Sequence, residues 1–189
     1  MAHKPFEPLT TQRLFIRPIH KQDREDFFSY RSHPDVTRFQ SFRPTQIEDI
    51  DAFIEQMESA TPDIPGQWYQ AAICLKENGR MIGDTGMHFT DAHQTEIGYT
   101  LSPEYQGKGY AAEAVFAILD YLFGTLCKHR VFASVDPENE RSIALLERLG
   151  FRKEAHFHES IREGKRWADD CIYAMLKHEW DAKRCFSRG

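Results

Sequence analysis

The chain has few cysteines, no long apolar run, no excess of positive charge and neither of the two familiar phosphate-loop signatures. Its four cysteines, Cys74, Cys127, Cys171 and Cys185, are scattered and form no C-x-x-C pair. That excludes a disulfide-stapled scaffold and makes reduced thiols in the cytoplasm the default expectation. No apolar stretch approaches the roughly 20 residues of a membrane span, and the opening MAHKPFEPLT lacks a signal peptide's apolar segment. No membrane partner is expected. Lysine and arginine number 24 against 29 acidic residues, a net charge of −5. This argues against nonspecific nucleic-acid binding and is compatible with a cationic substrate such as an amine. There is no G-x-x-x-x-G-K-[ST], and no G-x-G-x-x-G follows a strand. Repeats, low-complexity segments and linkers are also missing. What remains is 189 residues, 41% of them hydrophobic, which suits a single domain over 1–189 with a sizeable core.

The stretch from Thr95 to Glu113 organises the rest. Ile97, Tyr99 and Leu101 alternate with Glu96, Gly98 and Thr100, a strand's period of two. Pro103 ends that strand, because proline cannot donate to a ladder. Gln106-Gly107-Lys108-Gly109-Tyr110-Ala111 forms a glycine-rich turn, and Ala111, Ala114, Val115, Ile118, Leu119 and Leu122 then recur at helical spacing. A turn of this kind before a helix presents free backbone N–H groups and the positive end of the helix dipole. Its natural partner is a phosphate or pyrophosphate, and Lys108 adds a positive charge. Each charge-assisted hydrogen bond to such an anion is worth roughly 1.5–3 kcal/mol, so three or four could anchor a cofactor. Most glycine turns between strand and helix bind nothing, so the rest of the chain must decide.

Further strands are expected at Arg13–Arg17, Trp68–Lys76, Met81–Thr90, Arg130–Val135, Phe151–Ile161 and Asp169–Lys177. Asn78-Gly79 makes a tight hairpin turn. Helices are expected over Lys21–Ser32, from Thr45 to about Ala60, and from the Asp136-Pro-Glu-Asn turn to Leu149, where Gly150 is the stop. Thr45 with Glu48 reads as a capping box, and Asn139 as a helix cap. The tail from His178 reads as a short helix or a frayed end. His156 and His158 share one strand face, but two such histidines on a half-exposed strand are ordinarily solvated, so no metal is expected.

At Gln106–Ala111 the sequence resembles the acetyl-CoA loop [QR]-x-x-G-x-[GA] of the GNAT superfamily of N-acetyltransferases. A second motif supports the resemblance. Asn139, Ser142, Leu145, Gly150 and Phe151 occupy the positions of the pattern N-x-x-[SA]-x-x-L-x-x-x-x-G-F. The opening TTQRLFIRP, the His33–Phe39 segment and Trp167-x-Asp169-x-x-x-Tyr173 are similar to the branch that acetylates ribosomal-protein N-termini on alanine or serine. The glycine before Trp167 stands one residue off that branch's G-x-W-x-D spacing.

The resemblance implies an α/β fold with a mixed, largely antiparallel sheet of about seven strands flanked by about four helices. It implies acetyl-CoA as cosubstrate and an amine acceptor, either a protein N-terminus or a small molecule such as an amino acid, polyamine or antibiotic. It places the cofactor against Tyr99, Thr100, Leu101, Gln106, Gly107, Lys108, Gly109, Tyr110, Ala111, Ala112, Asn139 and Ser142. The thioester carbonyl would be polarised by a backbone N–H around Thr100–Leu101. Many GNAT enzymes carry an acid tyrosine four positions after the motif serine; here Leu146 stands there, and Ser142, alone or through water, is the substitute the branch suggests. Glu96 is the leading base candidate and Glu159 a second. Residues Phe39 to Trp68 would shape acceptor choice. Dimers are frequent among similar enzymes, so a homodimer is among the expected states. A noncatalytic CoA-binding module and a nucleotide-binding regulator are the competing readings, the latter disfavoured by the loop sequence.

Overall fold

The computed structural model describes residues 5–186, with the side chains of Glu163, Cys185 and Phe186 outside that set. The thiol expected at Cys185 therefore lies outside the described residues, as do the chain's first four and last three positions. Eight strands form one sheet: β1 (Leu9–Thr10), β2 (Leu14–Pro18), β3 (Gln67–Leu75), β4 (Met81–Phe89), β5 (Gln94–Leu101), β6 (Arg130–Val135), β7 (Arg152–Glu163) and β8 (Arg166–Leu176). Their order is β1-β2-β3-β4-β5-β6-β8-β7. Every neighbouring pair is antiparallel except β5 with β6. Six α-helices accompany the sheet: α1 (Arg24–Arg31), α2 (Pro34–Thr37), α3 (Ile47–Glu58), α4 (Tyr110–Asp120), α5 (Glu140–Leu149) and α6 (Lys177–Phe186).

The mixed sheet and the four main helices agree with expectation. The eighth strand, β1, adds only the pairs Leu9↔Ile16 and Thr10↔Phe15. Two residues carry no period, so alternation cannot mark it. α1 begins later than expected, because Lys21–Asp23 is a tight 3-10 turn. The box on α3 also sits one residue further on, at Gln46 and Asp49 rather than Thr45 and Glu48. The Asp49 carboxylate accepts from the N–H groups of Thr45 (2.8 Å) and Gln46 (3.1 Å), so the Thr45 hydroxyl donates to Asp49 (3.1 Å) instead of capping the helix. These backbone N–H bonds hold the Asp49 carboxyl below its ordinary pKa.

β3 is buried on both faces, and its alternation divides the core. Tyr69, Ala71, Ile73 and Leu75 face a cluster with α4, α5 and Trp180 of α6. Ala72 and Cys74 face a smaller one built with Phe27 and Tyr30 of α1 and Ile50, Ile54 and Met57 of α3. Helices on both faces thus cover the sheet, and β3 and β4 are buried along most of their length.

Candidate active site

The site arises where the sheet splits. β5 and β6 run parallel for three pairs, Gln94↔Arg130, Thr95↔Val131 and Glu96↔Phe132. β5 then continues to Leu101 and β6 to Val135 with no further pairing between them. The gap opens into a cleft of about 1010 Å³, walled by Ile97, Gly98 and Tyr99 on one side and Ala133, Ser134 and Val135 on the other. Ser102 N–H donates to Ile82 O of the neighbouring chain segment (2.8 Å). Backbone groups on a strand alternate between its edges, so the N–H of Thr100 also faces β4. Those of Tyr99 and Leu101 face the gap. Of the expected pair Thr100 and Leu101, only Leu101 offers its N–H there.

The glycine-rich turn lies at the end of β5. Gly107 (φ 73°) and Gly109 (φ 81°) both take the left-handed conformation, which costs other residues about 1–2 kcal/mol. This curls the turn so that α4 starts at Tyr110 with no side-chain cap. The first intrahelical bond is Glu113 N–H to Gly109 O (3.1 Å). Among the described residues, no acceptor takes the N–H groups of Gly107, Lys108, Gly109, Tyr110, Ala111 or Ala112. Six orphan donors beside a helix N-terminus form an anion cradle.

Arg13 locks this turn to the sheet. Its Nε donates to Glu113 Oε2 (2.6 Å), its backbone N–H to Glu113 Oε1 (2.8 Å), and its Nη1 to Lys108 O (3.0 Å). The guanidinium also lies over the Tyr110 ring, 4.2 Å from its centroid. Thr11 Oγ1 donates to Glu113 as well (2.6 Å). Partial burial works to raise the Glu113 carboxyl, but the Thr11 and Arg13 donors outweigh it and hold the pKa low. Gln106 is engaged too: Nε2 donates to Leu101 O (3.0 Å) and Oε1 accepts from Arg141 (3.0 Å). Its side chain braces the strand end rather than reaching outward. Lys108 Nζ rests over the Tyr105 ring at 5.4 Å.

Across the gap, Asn139 caps α5, its Oδ1 accepting from Ser142 N–H (3.2 Å). Ser142 Oγ lies 2.7 Å from the Tyr99 hydroxyl. Burial pushes the Tyr99 phenol up to about 12, partly countered by Ser142. Both residues line the cleft, as do Asn139 and Glu96. Leu146 is fully buried in the core.

Glu96 stands in a cross-strand row. The registers Trp68↔His88 and His88↔Glu96 put the three side chains on one face of β3, β4 and β5. Trp68 stacks on His88 at 4.8 Å with an 8° tilt, and His88 Nδ1 is 3.4 Å from Glu96 Oε2. Glu159 is exposed and is not among the cleft residues.

Phe39, Phe42 and Trp68 all line the cleft. Phe42 also stacks on Phe53 at 4.7 Å, so its packing and lining roles coincide. Beneath them is a network that no local pattern indicated. Asp84 is fully buried and accepts from Tyr30 (2.7 Å), from Arg31 Nε (3.0 Å), from a second Arg31 nitrogen and from Gln70. Burial opposes the Arg31 cation, but Asp84 raises its pKa overall. Burial and the same carboxylate push the Tyr30 phenol well up. The network fixes α1 under the cleft.

The structure therefore gathers Glu96, Tyr99, Leu101, Asn139 and Ser142 around one gap and hangs the Gly107–Ala112 turn at its end. Sequence reasoning missed the Tyr99–Ser142 bond, the Arg13–Glu113 clamp and the Asp84 network. The one available signal was the inward side of β5's alternation, which carries Tyr99.

Residues 13–152 match a family model described as an acetyltransferase (GNAT) domain. The chain belongs to that family, and the protein is an N-acetyltransferase. Acetyl-CoA is the acetyl donor of GNAT acetyltransferases. A [Ribosomal protein uS5]-alanine N-acetyltransferase of Escherichia coli is 35% identical over 200 aligned positions, covering 97% of each chain. A spermidine N(1)-acetyltransferase of E. coli is 27% identical over 171, covering 89% of this chain and 88% of its own. The crystal structure of a GNAT-family acetyltransferase from Bacillus anthracis superposes with a TM-score of 0.84 at 30% identity, covering 92% of this chain and all of the other.

Proposed function

We propose that this protein acetylates the α-amine of a protein N-terminus of the ribosomal-protein type. The observation that carries the reading is the modest acid–base equipment of the β5 wall of the gap: one carboxylate, Glu96, and one hydroxyl pair, Tyr99 with Ser142 of α5. Bringing a lysine amine to neutrality at pH 7 costs about 4.6 kcal/mol, an α-amine about 1.1 kcal/mol. A site so equipped suits the second.

In this reading the anion cradle from Gly107 to Ala112 holds the coenzyme's diphosphate, with Lys108 nearby. The pantetheine arm follows the gap beside Asn139. Glu96, directly or through water, takes the amine's proton. The amine nitrogen then bonds to the thioester carbon, and the N–H of Leu101 stabilises the oxyanion. When the C–S bond breaks, the leaving sulfur receives a proton from Ser142 or a water, Tyr99 steadies the Ser142 oxygen, and the surplus proton of the attacking nitrogen, passed on through water, replaces the one given up. No acyl-enzyme is required.

The similarity to an alanine N-acetyltransferase supports the α-amine. Charge argues in the same direction against a polyamine. The cleft carries four carboxylates, on Glu96, Asp136, Asp169 and Asp170, against three guanidiniums, on Arg43, Arg162 and Arg166, with the charge of a fourth, Arg31, taken up by buried Asp84. A multiply charged cation gains little from so nearly balanced a wall. The test offers acetyl-CoA with N-terminal peptides carrying one free α-amine and one lysine, beside spermidine and free amino acids. Mass spectrometry should find the acetyl group on the α-nitrogen. Turnover of lysine side chains or spermidine alone would overturn the reading.

A further inference from the structure

At the rim of the cleft, the β7–β8 hairpin holds a group of side chains that acetyl transfer does not use. His156 and His158 are two residues apart on β7, so strand alternation sends both to one face. Their rings turn onto the same atom across the hairpin. His156 Nε2 lies 2.8 Å, and His158 Nδ1 2.9 Å, from Asp169 Oδ2. The three ligating atoms all lie within 4.8 Å of one another.

The backbone brings this about. The β7–β8 register shifts between Phe157 and Ile161, and Glu159 takes a left-handed φ of 47° within that bulge. Glu159 N–H thereby donates to Asp169 Oδ1 at 2.9 Å. One carboxylate oxygen is tied to backbone and the other points at two imidazoles. Fixing the outer oxygen in this way orients the inner one as a ligand.

We propose that His156, His158 and Asp169 bind a divalent first-row transition ion of the zinc class. Two imidazoles and one carboxylate oxygen are the donor set that zinc, cobalt, nickel and copper accept, whereas magnesium and calcium take oxygen. Tetrahedral ligands about 2.0–2.1 Å from zinc stand about 3.3 Å apart. The separations to Asp169 need to open by about half an ångström and the two imidazole nitrogens, within 4.8 Å of each other, to draw toward the same spacing, movements that rotations of the exposed side chains can supply. Each ring must offer a lone pair to the ion, so the proton now directed at Asp169 moves to the ring's other nitrogen or to water. His158 is 78% exposed, and the remaining coordination positions open to solvent. Asp169 also walls the cleft, which places the ion at the acceptor's entrance.

The test uses tag-free full-length protein freed of metal. Zinc is titrated in competition with a chromophoric chelator, and cobalt is followed by its visible absorption. The expected result is one ion per chain, cobalt bands without a thiolate charge-transfer feature, and a rise in Tm on adding zinc. His158→Ala, an exposed truncation, should weaken zinc at least tenfold and abolish the Tm rise while leaving acetyl-CoA binding and the metal-free Tm unchanged. Asp169→Asn should weaken zinc by at least as much. Failure of the wild type to bind an ion above the background of His156→Ala/His158→Ala would overturn the proposal, as would His158→Ala binding zinc as tightly as the wild type. Neither outcome bears on acetyl transfer, since the ion enters no step of it.

Discussion

The Tyr99 hydroxyl and Ser142 Oγ meet at 2.7 Å across the gap between β5 and β6, joining a strand to the first turn of α5. A phenol raised to about 12 stays protonated throughout the working range, so it acts as a donor and never as a base. Ser142→Ala should therefore lower kcat by about 10- to 100-fold, at the weak end of general-acid effects because a thiolate is an easy leaving group. Tyr99→Phe should cost less, and neither should change the thermal midpoint by more than a few degrees. Steady-state kinetics with both substrates varied would separate kcat from KM. Unchanged kcat in Ser142→Ala would leave water as the proton source.

Glu96→Gln removes the carboxylate and keeps the shape. The expected loss in kcat/KM is about 10²-fold, within the usual range for a general base. The loss should shrink as pH rises through the acceptor's own pKa, where free amine becomes abundant. His88→Ala should give a smaller loss of the same kind, since His88 only positions Glu96 from 3.4 Å. Pre-steady-state release of CoA across a pH series measures both.

If the turn holds the coenzyme, the clamp between Arg13 and Glu113 should make coenzyme affinity acid-sensitive. Glu113 has its pKa depressed in the folded protein, so its contribution is full above the ordinary value of 4.5 and is lost as pH falls through the lowered value. Calorimetry should show acetyl-CoA binding weaken on acidification below about pH 4.5 in the wild type. Glu113→Gln should bind more weakly at neutral pH and lose that dependence.

Alanine at Gly107 or Gly109 tests the turn itself. A Cβ at Gly107 meets nothing within 4 Å, and one at Gly109 meets only Arg13 Nη2 at 3.4 Å. Space is therefore available, and the cost is conformational, about 1–2 kcal/mol for each left-handed site. Both variants should fold with a modestly lower Tm and bind acetyl-CoA several-fold more weakly.

Asp84 is the position where a small change should be severe. Asp84→Ala leaves Arg31, 6% exposed, as a buried cation without its counter-ion. Breaking such a pair typically costs about 3–5 kcal/mol, which for this chain length lowers Tm by at least about 6 °C. Differential scanning calorimetry measures it directly.

Much of the site was legible because its parts are local. The turn from Gln106 to Ala111 and the run from Asn139 to Phe151 each lie within one strand–helix unit, and their glycines and cap are fixed by backbone needs. Glu96 was singled out by the resemblance, and the phase of β5 told only that it takes the face opposite Ile97, Tyr99 and Leu101. The rest depends on contacts across the chain. Arg13 finds Glu113 at a separation of 100 residues, and Asp84 takes partners from α1 that periodicity cannot name. Asp169 reaches His156 and His158 only because a bulge at Glu159 shifts the hairpin register. A strand of two residues, such as Leu9–Thr10, has no pattern to read.

The most direct test is a crystal structure with coenzyme A bound. Its diphosphate should lie on the N–H groups of Gly107 to Ala112, with the thiol in the gap near Leu101, Tyr99 and Ser142. A diphosphate seated anywhere else, or a thiol pointing away from the opening between β5 and β6, would contradict the role given to every one of these residues.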